Sequence, residues 1–60
     1  MKLKEFRESK KLTQSDIAEK LDISRTSISM WETGESLPRA DKLLQLAEIL
    51  GCTVDELLKE

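Results

Sequence analysis

The 60-residue sequence contains no histidine and no tyrosine, and Cys52 is its only cysteine. An internal disulfide is therefore impossible, and a conventional zinc site lacks its ligands. No glycine-rich loop is present to cradle a phosphate, and nothing around Cys52 marks a reactive thiol. The sequence thus predicts neither enzymatic activity nor a cofactor or metal. Aromatic residues are scarce: one Trp and one Phe leave most of any core to aliphatic side chains. No window holds more than a few consecutive apolar residues, so no membrane span is expected. The basic start Met1-Lys2-Leu3-Lys4 has no apolar region behind it, unlike a secretory signal. A cytoplasmic location is the expectation. No segment alternates with period two, and no strand is assigned.

What the chain does have is a near balance of apolar (38%) and charged (37%) residues, which fits a small globule rather than a disordered tail. Its length lies close to the lower limit for a core that stands without crosslinks. With no repeat, low-complexity tract or linker, residues 1–60 read as one domain. The net charge of −2 at first argues against a polyanionic partner. Its distribution argues otherwise. Residues 1–11 set Lys2, Lys4, Arg7, Lys10 and Lys11 against Glu5 and Glu8, a balance of +3. Residues 46–60 set Lys59 against Glu48, Asp55, Glu56 and Glu60, a balance of −3. Such a layout can turn a positive face to a polyanion while the far side stays acidic.

Hydrophobic spacing and capping residues mark five helices. Leu3, Phe6, Arg7 and Lys10 follow three- and four-residue spacing, which predicts an amphipathic helix over residues 2–10. Thr13-Gln14-Ser15-Asp16 is a near capping box, opening a second helix with Ile17, Ala18 and Leu21 on one face. Ser24 caps a third, with Ile28 and Trp31 as its buried stripe and Gly34 where a left-handed residue ends it. Glu35-Ser36-Leu37-Pro38 is the longest loop. Leu43, Leu46, Ala47 and Leu50 mark a fourth helix, ended by Gly51. Thr53-Val54-Asp55-Glu56 is a full capping box for a short fifth, with Leu57 and Leu58 inward. Cys52, between Leu50 and Val54, reads as a small buried hydrophobe.

Only Asp22-Ile23-Ser24 separates the second and third helices, which forces a sharp crossing rather than a hairpin. Residues Gln14 to Thr33 resemble the helix-turn-helix of the phage repressor and Cro family, also called Xre. The resemblance rests on Ile17, Ala18, Leu21, Ile23, Ile28 and Trp31. Flanks match too: Leu12-Thr13-Gln14 before the motif, Trp31-Glu32-Thr33-Gly34 at its end, then Pro38 and a leucine-rich helix. It covers essentially the whole chain and implies an all-α, five-helix, lambda-repressor-like domain that binds DNA as a transcriptional regulator. A repressor acting as a dimer on a palindromic operator is the form expected. One departure stands out: Asp22 holds the turn position where the family usually has Gly. Asp tolerates a left-handed backbone better than most residues.

In this family the third helix lies in the major groove and its N-terminal residues meet base edges. At about 100° per residue, with Ile28 inward, Thr26, Ser29, Met30 and Thr33 point away from the core, and Arg25 lies near the exposed N-terminal end. Arg25, Thr26, Ser29 and Met30 are therefore the expected base contacts, Arg25 with the fork that suits guanine. By resemblance Gln14, Thr33 and Arg39 are expected phosphate contacts, with Ser15 and Ser27 as further donors. Arg7 and Glu32 hold positions that form an inward ion pair in some members. Dimerisation of so small a domain is expected to be weak, with Leu57 and Leu58 either shared between copies or closing the monomer's own core. A second class is a protein-interaction or antitoxin-like module that keeps the fold and uses Met30 as an apolar contact. Titration against random-sequence duplex at low salt separates the two.

Overall fold

In a computed structural model that describes residues 1–59, the chain forms five α-helices. They are α1 (Leu3–Ser9), α2 (Gln14–Leu21), α3 (Arg25–Thr33), α4 (Ala40–Leu50) and α5 (Val54–Leu58). No strand occurs among the described residues, as the absence of period-two patterning predicted. The all-α, five-helix architecture read from the sequence is borne out. α1 is shorter than expected: Lys2 and Lys10 flank it rather than belonging to it.

Three of the five helix starts, those of α2, α3 and α5, have a side-chain partner for a free N–H group. Thr13 Oγ1 accepts from the Asp16 N–H at 3.0 Å, and Asp16 Oδ2 accepts from the Thr13 N–H at 2.8 Å. Thr53 and Glu56 form the same reciprocal box, with both bonds at 3.0 Å. Ser24 Oγ accepts from the Ser27 N–H at 3.3 Å. α1 has no side-chain cap. Its entry is tied instead to the other end of the chain, where the Lys2 N–H donates to the Leu57 carbonyl at 2.8 Å.

Four helices end alike, in a left-handed residue whose successor donates back to a carbonyl five residues earlier. The donors are Leu12 to Arg7, Ile23 to Ala18, Glu35 to Met30 and Cys52 to Ala47, at 2.9–3.0 Å. This satisfies carbonyls the helix itself leaves unpaired. Gly34 (φ 85°) and Gly51 (φ 68°) serve two of these ends as expected. Asp22 (φ 56°) and Lys11 (φ 58°) serve the others. Only the glycines take that conformation freely.

The core gathers Leu3, Ile17, Ala18, Leu21, Ile28, Trp31, Leu46, Leu50 and Leu57, so every helix contributes to it. Each fully buried Leu or Ile contributes roughly 1.5–3 kcal/mol of transfer free energy. Ala18, on α2 where α2 packs against α3, is buried. Ile23 packs half-buried against the core from the turn. Leu58 departs from expectation. Leu57 is wholly buried but Leu58 is 42% exposed, because adjacent residues on a one-and-a-half-turn helix cannot both face inward. Cys52 lies half-buried against the core, and burial pushes its thiol pKa up, with the Glu56 carboxylate adding to the effect.

Candidate nucleic-acid interface

The α2–α3 crossing places the start of α2 beside the start of α3. Gln14, Arg25, Thr26 and Ser29 line one shallow surface depression. Arg7, Thr13, Gln14, Ser15 and Arg25 line a second. Arg25 and Thr26 are exposed, whereas Ser29 and Met30 are half-buried along the same helix. The buried side of α3 is Ile28 and Trp31, as the helical period predicted. The outward face therefore opens on a guanidinium and a hydroxyl, with a second hydroxyl and a thioether farther along.

Other expected contacts are dispersed. Ser15 is exposed on the first turn of α2. Ser27 is engaged in the α3 cap, its Oγ 3.1 Å from Ser24 Oγ. Thr33 lies at the far end of α3, its hydroxyl 3.2 Å from the Met30 carbonyl and 3.4 Å from Glu35 Oε1. Arg39 precedes α4 with an 89% exposed side chain, 3.9 Å from Asp41, so loose a pair that it contributes about 0–1 kcal/mol.

Behind the corner sits a polar latch centred on Glu32. Arg7 Nε donates to Glu32 Oε2 at 2.7 Å and Nη2 to Oε1 at 3.4 Å, joining α1 to α3. The two side chains are only 11% and 6% exposed, so this is the inward ion pair that the resemblance implied. Arg7 Nη1 donates to the Leu12 carbonyl at 2.8 Å, bracing the α1–α2 connection. Gln14 Nε2 completes the set, donating to Glu32 Oε1 at 2.9 Å. Burial by itself raises the Glu32 pKa, but the hydrogen bonds from Arg7 and Gln14 outweigh it and hold the carboxyl below its usual range. The same hydrogen bond from Arg7 to Glu32 raises the guanidinium pKa.

A helix-turn-helix family profile matches residues 3–57, nearly the whole chain. The chain belongs to the helix-turn-helix family. Its relatives include the HTH-type transcriptional activator BcrR of Enterococcus faecalis, 44% identical over 57 residues, which are 95% of this chain and 28% of that protein. The 26 kDa repressor protein of Escherichia phage HK022 is 48% identical over 40 residues, 67% of this chain and 17% of the repressor. Repressor protein C2 of Salmonella phage P22 is 37% identical over 49 residues, 82% of this chain and 23% of its own length. The chain thus spans less than a third of the length of each of these three relatives. The likeness to phage repressors agrees with the resemblance carried by Gln14 to Thr33.

Within the helix-turn-helix, backbone atoms hold the turn. Asp22 is left-handed, but its carboxylate makes no hydrogen bond among the described residues. The local side-chain bond that would ease Asp into this conformation is therefore absent. Backbone bonds hold the turn instead, from Asp22 N–H to the Glu19 carbonyl and from Ile23 N–H to Ala18. Lys42 Nζ, reaching over from α4, donates to the Leu21 carbonyl at 3.0 Å and places a cation at the C-terminal end of α2. Sequence reasoning missed Lys42 and the Gln14–Glu32 bond, which join residues 21 and 18 positions apart with no local signal. Lys10 reaches toward α4. Its Nζ lies beside Gly51, at the C-terminal end of α4.

Proposed function

We propose that this helix-turn-helix domain binds DNA by setting the first turns of α3 into the major groove. The observation that carries this reading is the single corner where Gln14 meets Arg25, Thr26 and Ser29. Arg25 reads a base edge, its fork matching the two acceptors of guanine, and Thr26, Ser29 and Met30 meet neighbouring bases. Gln14 and Ser15, at the start of α2 where backbone N–H groups point outward, take a phosphate. Thr33 and Arg39, beyond α3, take others, and Ser27 assists from within its cap. Phosphate contacts fix the register and base contacts read the sequence. The protein acts as a transcriptional regulator, a repressor binding as two copies on a palindromic operator. In the isolated domain those copies associate weakly. Leu57 is taken up by the monomer's own core, and Leu37, Leu44 and Leu58 are the large apolar side chains left exposed.

Fluorescence titration with duplex DNA across a salt series tests this. Few cations face the corner, so log K against log salt should fall with a slope of roughly −4 to −8 for a dimer. A slope near zero, or no binding to any duplex at low salt, would contradict it.

A further inference from the structure

We infer that Glu32 is a positioning residue for the DNA contact of Gln14, fixing which way its carboxamide faces before DNA arrives. The inference rests on the DNA-binding reading and deepens it at one site. A carboxylate only accepts hydrogen bonds, so the amide atom 2.9 Å from Glu32 Oε1 must be the nitrogen. That settles the amide's orientation by chemistry. One Nε2 proton is committed to Glu32, and the second is left for a phosphate oxygen. A free glutamine side chain would sample several rotamers and both amide orientations, losing that freedom only on binding.

Glu32 suits this task because its own charge is answered. An unpaired carboxylate behind a phosphate contact would repel the phosphate. Here Arg7 binds both carboxylate oxygens, at 2.7 and 3.4 Å. Gln14 and Arg7 share Oε1, so the latch that joins α1 to α3 also sets a side chain on the first turn of α2. Arg7 lines the same depression as Gln14, Ser15 and Arg25. The three helices that form the corner thus meet on one carboxylate.

A double-mutant cycle on DNA affinity tests this with Gln14→Ala, Glu32→Ala and the double variant, at a temperature where circular dichroism shows all folded. Wild-type binding is measured first, so that failure of the DNA reading is seen separately from failure of the inference. Gln14→Ala should weaken binding about 3- to 10-fold on operator and random duplex alike, as expected for one lost phosphate hydrogen bond. Glu32→Ala should cost several-fold less in the Gln14→Ala background than in the wild type. Costs that simply multiply, or a Gln14→Ala variant that binds normally, would overturn the inference while leaving DNA binding intact. The wild-type protein gives a second readout that no unfolding can spoil. Its only other glutamine, Gln45, is exposed and serves as control. The Gln14 carboxamide protons should be well separated from those of Gln45 in the NMR spectrum of free protein, and should shift on adding duplex. Coincidence with the averaged Gln45 position would contradict the inference.

Discussion

α2 and α5 open with the same device, yet only one of them sits in a corner suited to an anion. Both begin with a Thr whose hydroxyl and backbone N–H exchange hydrogen bonds with an acid three residues on. At α5 the first turn carries Asp55 and Glu56, so negative charge already sits where a phosphate would approach. At α2 the only acid of the first turn is Asp16, engaged in the box, and Gln14 and Ser15 stand beside it. Arg25 lines the same depression. A helix start is common. What surrounds it decides whether it can receive an anion, and here that company comes from α1 and α3.

The strongest way to break the comparison is to damage the far end and ask whether the corner survives. Leu57→Ala removes a wholly buried side chain and should destabilise the fold by about 2–5 kcal/mol in thermal melts. Measured on cold, still-folded protein, DNA affinity should stay near wild type. A specific loss of affinity there would place α5 in the interface.

Next in size is Arg25→Ala, which should cost about 1–3 kcal/mol on the operator and relax selectivity at one base pair. An equal loss on operator and random duplex would make Arg25 a phosphate contact instead.

The turn between α2 and α3 gives a third test. Asp22 pays roughly 1–2 kcal/mol for its left-handed backbone. Glycine removes that strain but adds about 0.4–1 kcal/mol of unfolded-chain freedom. Asp22→Gly should therefore melt at or slightly above the wild-type temperature and still bind DNA. Asp22→Val should melt clearly lower, because β-branching suits this region worst. Tolerance of Val together with damage from Gly would contradict the turn geometry.

The smallest effects compare the two boxes directly. Thr13→Ala and Thr53→Ala should each cost about 1 kcal/mol of stability, but only Thr13→Ala should also weaken DNA binding. The boxes bear on pH as well. Asp16 and Glu56 have pKa values held down by hydrogen bonds with Thr13 and Thr53, backbone first, and Glu32 is held down by Arg7 and Gln14 despite its burial. Groups with lowered folded pKa values contribute stability above the unfolded carboxylate range, near 3.9–4.3, and lose it as pH falls through the folded values. Melting temperature should hold at neutral pH and drop below about pH 4. The drop should be shallower in Glu32→Gln, measured relative to that variant's own neutral value.

Much of this was legible in the sequence, because capping and periodicity are local. Thr13, Ser24 and Thr53 announced helix starts, Gly34 and Gly51 announced ends, and Ile28 with Trp31 gave α3 its inner face. The matching end at Lys11 was not legible, because Lys carries no preference for a left-handed backbone. Leu58 misled because two adjacent leucines at a chain end give no period to separate them. The tie between Gln14 and Glu32 escaped for another reason. Each residue has an ordinary local explanation, and only the crossing of α2 and α3 brings them within hydrogen-bonding distance.

The central claim is that the corner of α2 and α3 meets DNA while the α5 end does not. Backbone amide shifts followed by NMR during titration with duplex DNA test it most directly. The account predicts that changes concentrate at Gln14, Ser15 and Arg25 to Met30, with smaller ones at Thr33 and Arg39, and that Thr53 to Leu58 stay silent. Changes centred on Thr53 to Leu58, or a spectrum unmoved by any duplex at low salt, would contradict it.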